Sequence, residues 1–285
     1  MRQQGVVLKS NRELALMREA GRINALVLAA AAAVVRPGVT TADIDAAAAE
    51  VLRQHHAKAA FLGYGHPPYP AVTTVCVNDE LVHGIPGKRR LREGDIVSID
   101  VGAIVEGFVG DSALTLGVGE ISPLAQRLID VTLEALIAGM EKMRPHNRTG
   151  DVSAAIQAVV EGAGFNVVRE YTGHGVGRAM HEDPQVPNYG TPDRGLLLLP
   201  GTTIALEPMV LAGRPETHVL EDQWTVASRD GSLTAHFEHS VAVTEQGPWV
   251  LTALTDGLDT NLGPRYNEYF AGVALQTAEP RSISS

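Results

Sequence analysis

Two acids end stretches that otherwise read as buried strands: Asp100 in Ile96-Val97-Ser98-Ile99-Asp100-Val101, and Glu207 in Ile204-Ala205-Leu206-Glu207-Pro208. Burying an ionised carboxylate costs several kcal/mol or more unless a cation or hydrogen bonds compensate. Strand alternation puts Ser98 with Asp100, and Ala205 with Glu207, on one face and the larger hydrophobes on the other. Both acids therefore point into a lined cleft between layers. Asp111, ahead of Ser112-Ala113-Leu114, and Glu238, in His236-Phe237-Glu238-His239, each follow one strand later. Four carboxylates gathered from neighbouring strands repel and raise one another's pKa values, and divalent cations remove that penalty. With His174 of Gly173-His174-Gly175-Val176-Gly177 the set becomes four carboxylates and an imidazole. Such a set suits a pair of borderline or hard divalent cations ~3.5–4 Å apart, bridged by shared carboxylates. Any one of these acids, taken alone, reads more readily as a turn or surface residue; their duplicated placement is what raises the combination.

Competing chemistries lack their residues. Gly175-Val176-Gly177-Arg178-Ala179-Met180 misses the third glycine of a dinucleotide fingerprint, and neither a P-loop nor a G-x-S-x-G elbow occurs. His181-Glu182-Asp183-Pro184 begins like a zincin helix, but no second histidine follows at the fourth position and Pro184 opposes the helix. The single cysteine, Cys76, excludes an internal disulfide framework and a multi-cysteine metal site; in an apolar strand it reads as packing. His55, His56, His66, His146 and His218 have no partner pattern and read as surface. With 23 basic against 33 acidic residues the formal charge is −10, which argues against nucleic acid as the main partner. The longest apolar run, Ala25 to Val35, is 11 residues, short of the roughly 20 a spanning helix needs. An unprocessed, cytoplasmic protein in a reducing setting is the expectation.

The elements that must position these groups come in a repeated order. Ser10 and Glu13 form a capping box ahead of a helix that stops before Arg36-Pro37-Gly38. Thr40 and Thr41 cap a second helix running to about Lys58. Ser122-Pro123 opens a third, ending at Met143, and a fourth runs from near Thr149 to Gly162–Gly164. After each pair come β-rich runs: Val72–Val77, Asp95–Val101, Ser112–Leu116, Thr203–Val210 and Ser240–Thr244. A shift of 108 residues lays Arg36-Pro37 on Arg144-Pro145, Thr41 on Thr149 and Asp43 on Asp151. A shift of 107 lays the strand ending in Asp100 on the strand ending in Glu207, so the acid recurs at the same point. The expected class is α+β: two half-repeats, about 10–118 and 122–251, related by a pseudo-twofold, with helices covering a mostly antiparallel curved sheet. One catalytic domain spans 1–251, and 252–285 reads as a loosely ordered tail.

Asp100, Asp111, His174, Glu207-Pro208-Met209 and Phe237-Glu238-His239, in that order, together resemble the five-ligand signature of the methionine aminopeptidases, which have the pita-bread fold. Asn78-Asp79-Glu80-Leu81-Val82-His83-Gly84-Ile85-Pro86 matches that family as well. The resemblance runs from about Ser10 to Leu251. Only 26 positions separate His181 from Glu207, which leaves no room for the long insertion of the type II enzymes. The chain is similar to the short bacterial type I form.

The resemblance implies two divalent cations (Co, Mn, Fe, Ni or Zn), with Asp100 chelating one and Asp111 and Glu238 bridging both. His174 and Glu207 would complete the other. It implies a metal-bridging water as nucleophile and Glu207 as the base that passes its proton to the leaving amine. His83 and His181 would hydrogen-bond the scissile amide and stabilise the tetrahedral intermediate. Tyr64, Tyr69 and Trp224 would line the methionine pocket. The implied activity is removal of the initiator methionine from nascent proteins and peptides, with a small second residue favoured. Its partners would be nascent N-termini, met at the ribosome exit by a cytoplasmic monomer that binds neither nucleic acid nor membrane. An Xaa-Pro aminopeptidase or prolidase shares the fold and ligand types, and a non-catalytic relative that binds ribosomes or nucleic acid is a further alternative. The departures from the family pattern are the longer Gly65-His66-Pro67-Pro68 loop, Thr74 and Met180, all bearing on the methionine pocket.

Overall fold

Ser10 begins the first helix with the reciprocal bonds its spacing predicts: its hydroxyl accepts from the Glu13 N–H (3.4 Å) and the Glu13 carboxylate from the Ser10 N–H (3.0 Å). The computed structural model describes residues 2, 3 and 5–254. Its four helices are α1 (Asn11–Ala33), α2 (Thr41–Gln54), α3 (Pro123–Glu141) and α4 (Thr149–Gly162). The second stops short of the predicted Lys58. His55 caps it, His56 takes the left-handed φ of 53°, and Lys58–Ala59 instead pairs into the sheet.

That sheet has nine strands: β1 (Lys58–Ala59), β2 (Thr73–Val77), β3 (Ile96–Val105), β4 (Phe108–Gly117), β5 (Thr172–Gly175), β6 (Glu182–Pro187), β7 (Thr203–Leu206), β8 (Glu238–Thr244) and β9 (Gly247–Val250). The order is β6-β5-β7-β8-β4-β3-β1, with β2 also on β3 and β9 also on β8, and every pairing is antiparallel. A smaller sheet joins Asn166–Val167, Met209–Leu211 and Thr234–His236. The central strands are buried on both faces, which is why they read as apolar runs. On one side α1 lies on β3 and β4 and packs against α2; α3 packs against α4 and on Thr234–His236. Helix α1 approaches very closely: a Cβ on Gly110 of β4 would sit 2.8 Å from the backbone of Ala20 and Gly21.

The internal repeat extends to individual backbone bonds. Thr41 N–H donates to Arg89 O and Thr149 N–H to Leu196 O, both at 2.9 Å. Leu91 donates to Val39 and Leu198 to Asn147, both at 2.8 Å. Asp43 and Asp151 each accept from the backbone N–H three residues earlier, at 2.8 and 2.7 Å. Gly94 and Gly201 open the two acid-bearing strands with φ of 89° and 91°, a turn geometry in which a side chain is strained. All these pairs keep the offsets of 108 and 107 residues. Both halves thus build the same hairpin-like support under their acid.

No helix among the described residues is long and apolar enough to cross a membrane. Of the predicted tail, Thr252 and Leu254 are buried against the core, and residues 255–285 lie outside the described residues.

Candidate metal centre

The sheet register gathers the acids. Asp100 on β3 and Glu238 on β8 both stand opposite Ala113 of β4, so all three side chains share a face. Asp111, two residues before Ala113, shares it too. On the other side His174 of β5 pairs with Ala205, two residues before Glu207. Small residues, Ala113 and Ala205, occupy the places between the charged ones and leave them room. Glu207 itself stands where β7 ends. Pro208 has no N–H for a ladder, so the predicted strand Thr203–Val210 is two, Thr203–Leu206 and Met209–Leu211. Leu206 pairs with His239 and Met209 with His236, so the chain at Glu207-Pro208 and at Phe237-Glu238 passes together from the large sheet to the small one. Glu238 follows Glu207 by one strand in the sheet, although several short strands intervene along the chain.

His174 Nε2 lies 3.4 Å from Glu207 Oε1 and 3.9 Å from Asp111 Oδ2. A second imidazole, His236, places Nε2 3.6 Å from Glu207 Oε2 and 3.8 Å from Glu238 Oε2. Two donor groups result, Asp111-His174-Glu238 and Glu207-His236-Glu238, each with ligand atoms within 4.8 Å of one another. They share Glu238. Asp100 stands beside them, repelled by Asp111 and Glu207.

These residues fit divalent cations. Asp100 Oδ1, Asp111 Oδ1 and Glu238 Oε1 are buried with no hydrogen-bond partner, a costly state for which bound ions are a standard explanation. His174 Nδ1 lies 2.9 Å from Gly175 O, an acceptor only, so the ring proton is on Nδ1. Its Nε2 lone pair then faces two carboxylates, a contact that a cation turns from repulsive to attractive. Burial pushes the Asp100, Asp111, Glu207 and Glu238 carboxyls well above the usual range, and neighbouring carboxylates push Asp100, Asp111 and Glu238 further. Burial also holds His83 and His174 down at about 4.

A cavity of about 270 Å³ opens over this cluster. It is lined by all five predicted ligands and by His83, His181, Tyr64, Tyr69 and Trp224, so these ten residues reach one space. Tyr64 Oη is 2.6 Å from His181 Nδ1, and the His181 and His174 rings are 4.2 Å apart. His83 has a left-handed φ of 60° and meets Trp224 and Tyr171 edge-on at 6.2 and 6.0 Å. Tyr69 packs edge-on against Trp224 and donates to Gly84 O (2.8 Å). The Gly65–Pro68 loop leans on the same ring, with Trp224 Nε1 donating to Pro67 O (3.1 Å). Thr74 and Met180 line the cavity as well.

Sequence reasoning missed Phe61, Val82, Tyr171 and Met209 in the walls, which sit in four separate segments with no shared pattern. It also missed His236, although its place two residues before Glu238 put it on the side of the acids. Cys76 stays out of the site: its Sγ accepts from Gly84 N–H (3.2 Å), and burial pushes the thiol up. His55, His56, His66, His146 and His218 are all exposed.

Residues 15–245 match metallopeptidase family M24. The chain is 46% identical over 248 residues to a methionine aminopeptidase of Clostridium acetobutylicum, covering 87% of this chain and 98% of that one. The crystal structure of methionine aminopeptidase from Thermotoga maritima superposes with a TM-score of 0.84 at 45% identity, over 87% of this chain and 99% of that one. A prolidase from Pyrococcus furiosus superposes with a TM-score of 0.71 at 22% identity, over 87% and 65% respectively, a likeness of fold alone. The architecture shared by these structures is the α+β pita-bread fold.

Proposed function

Because the chain belongs to metallopeptidase family M24, we infer that it is a hydrolase that removes the N-terminal methionine from peptides and proteins with divalent metal. The observation that carries this reading is the buried carboxylate cluster with its orphaned oxygens, opening directly into an aromatic-walled cavity. Asp100, Asp111, His174, Glu207 and Glu238 would hold the metal, two divalent cations in all. When bound, the cations supply positive charge that lowers the pKa of a water nucleophile and polarises the peptide carbonyl.

The chain's own residues do the rest. Glu207, at the mouth of the cluster with 13% of its side chain exposed, takes the proton of the attacking water and passes it to the leaving amine. His83 and His181 face the same cavity, and burial favours their neutral forms. A Tyr64 hydroxyl donating to Nδ1 would leave the His181 proton on Nε2, free to donate to the carbonyl oxygen as charge develops there. Tyr69 and Trp224, with Phe61 and Met209, form an apolar wall suited to a thioether side chain. The acids at the cavity floor attract the substrate's free amino group, which restricts cleavage to chain ends. Nascent polypeptides with a small second residue are the substrates, met in the cytoplasm by a monomer.

The test uses the full chain stripped of metal and resupplied singly with Co, Mn, Fe, Ni or Zn. Methionine release from Met-Ala peptides, with Xaa-Pro peptides spared, is the expected result. Release from Xaa-Pro peptides alone would move the chain to the prolidase activity, and no release with any ion would sink the reading.

A further inference from the structure

His236 is 2% exposed, and its Nε2 has no hydrogen-bond partner. It is not among the residues that line the cavity. Its main chain is held by a reciprocal pair of hydrogen bonds. The His236 N–H donates to Thr115 Oγ1 (2.9 Å), and the same hydroxyl donates back to His236 O (2.8 Å). Ser98 Oγ supports Thr115 from behind at 2.8 Å. Thr115 and Ser98 lie on β4 and β3, two residues from Ala113 and Asp100, so the strands that carry the acids also set the height of His236. The two oxygens of Glu207 each face a different imidazole: Oε1 is 3.4 Å from His174 Nε2 and Oε2 is 3.6 Å from His236 Nε2.

We propose that His236 is a positioning residue of the metal centre, donating its Nε2–H to Oε2 of Glu207 and so holding Oε1 beside His174 for a cation. This rests on the reading of the cluster as a metal site. A gap of 3.6 Å exceeds a hydrogen bond, so the role requires the Glu207 carboxyl to turn toward the ring. A neutral imidazole between two carboxylates has one satisfactory role without a cation of its own, which is as donor to an acceptor-only group. Its place behind the acids, away from the cavity, agrees with that role. Partners that orient a ligand in this way are worth roughly 10–100-fold in metal affinity.

The experiment titrates Co²⁺ into the metal-free full chain by calorimetry, for the wild type, His236→Leu and His236→Gln, and records the visible Co²⁺ spectrum of each. The leucine variant is expected to bind its tighter cobalt ion roughly 10–100-fold more weakly, with an unchanged number of ions. The glutamine variant, which keeps an amide donor, should recover most of that loss. Should the leucine variant fail to fold, His236→Asn, whose amide is too short to reach Glu207, takes its place with the same expected loss. Wild-type affinity without a donor would overturn the role. So would loss of one whole equivalent of cobalt in both variants, which would make His236 a ligand. A wild-type chain that binds no cobalt would instead reject the metal site itself.

Discussion

Glu207 does several things at once because of where its strand ends. Pro208 frees the backbone from the ladder, the side chain keeps contact with the cavity, and its two oxygens face His174 and His236. Replacing one oxygen by an amide keeps the volume and removes the base. Glu207→Gln should fold, bind cobalt more weakly, and lose ~10²–10⁴-fold in kcat. In the absence of metal its Tm should equal or exceed that of the wild type, since one of four mutually repelling acids is gone. Steady-state kinetics beside thermal melts check both halves, and near-wild-type turnover would remove Glu207 from the base role. Asp100, by contrast, announces itself in the sequence only as an acid in an apolar run. Its partners Ala113 and Glu238 lie across strand pairings that the sequence does not record.

Among the elements, the turn Gly177–Glu182 is the one that brings His181 and Met180 to the cavity, and a residue far away in the chain holds it. Glu182 accepts from the backbone N–H groups of Arg178 (2.8 Å) and Ala179 (3.2 Å), and its other oxygen pairs with Lys9. The Lys9 side chain is 4% exposed and that of Glu182 15%, so this pair is shielded from water. Removing one partner of a shielded pair strands the other charge, at a cost of 3–5 kcal/mol when burial is complete. Glu182 keeps its two backbone donors and some solvent, so Lys9→Met should cost about 3 kcal/mol, the low end. It should also lower kcat by loosening His181. Urea unfolding and kinetics on the same preparation test this; unchanged kcat in a destabilised chain would separate the turn from catalysis. Helix starts were legible from Ser10, Thr40 and Ser122 because caps are local chemistry. The end of α2 was not, because it depends on Lys58 finding Ile104 of β3.

Across the whole molecule, folding concentrates four carboxyls whose pKa values rise on burial. A carboxyl with a higher folded than unfolded pKa binds its proton more tightly in the fold. The stability it confers is present below its unfolded value and is lost as pH climbs through the folded one. The metal-free chain should therefore lose this contribution as pH rises above the ordinary carboxyl range. His83 and His174 act oppositely: held at about 4 against 6.5 in the unfolded chain, they cost stability as pH falls between those values. Cations bind the deprotonated acids and neutral imidazoles and displace protons. The Tm gain on adding Co²⁺ should thus grow from about pH 5 to about pH 8. Melting curves at matched pH with and without Co²⁺ measure it, and a gain that shrinks over that range contradicts the site.

The order of elements, the doubled half and the identities of the acids follow from the sequence alone, because caps, strand alternation and repeated spacing are all properties of neighbouring residues. The meeting of those acids around Ala113, the break at Glu207-Pro208 and the presence of His236 behind them were decided only by the fold. Each depends on which strands pair and in what register, and that is set by burial summed over the whole sheet, which no short stretch of chain contains.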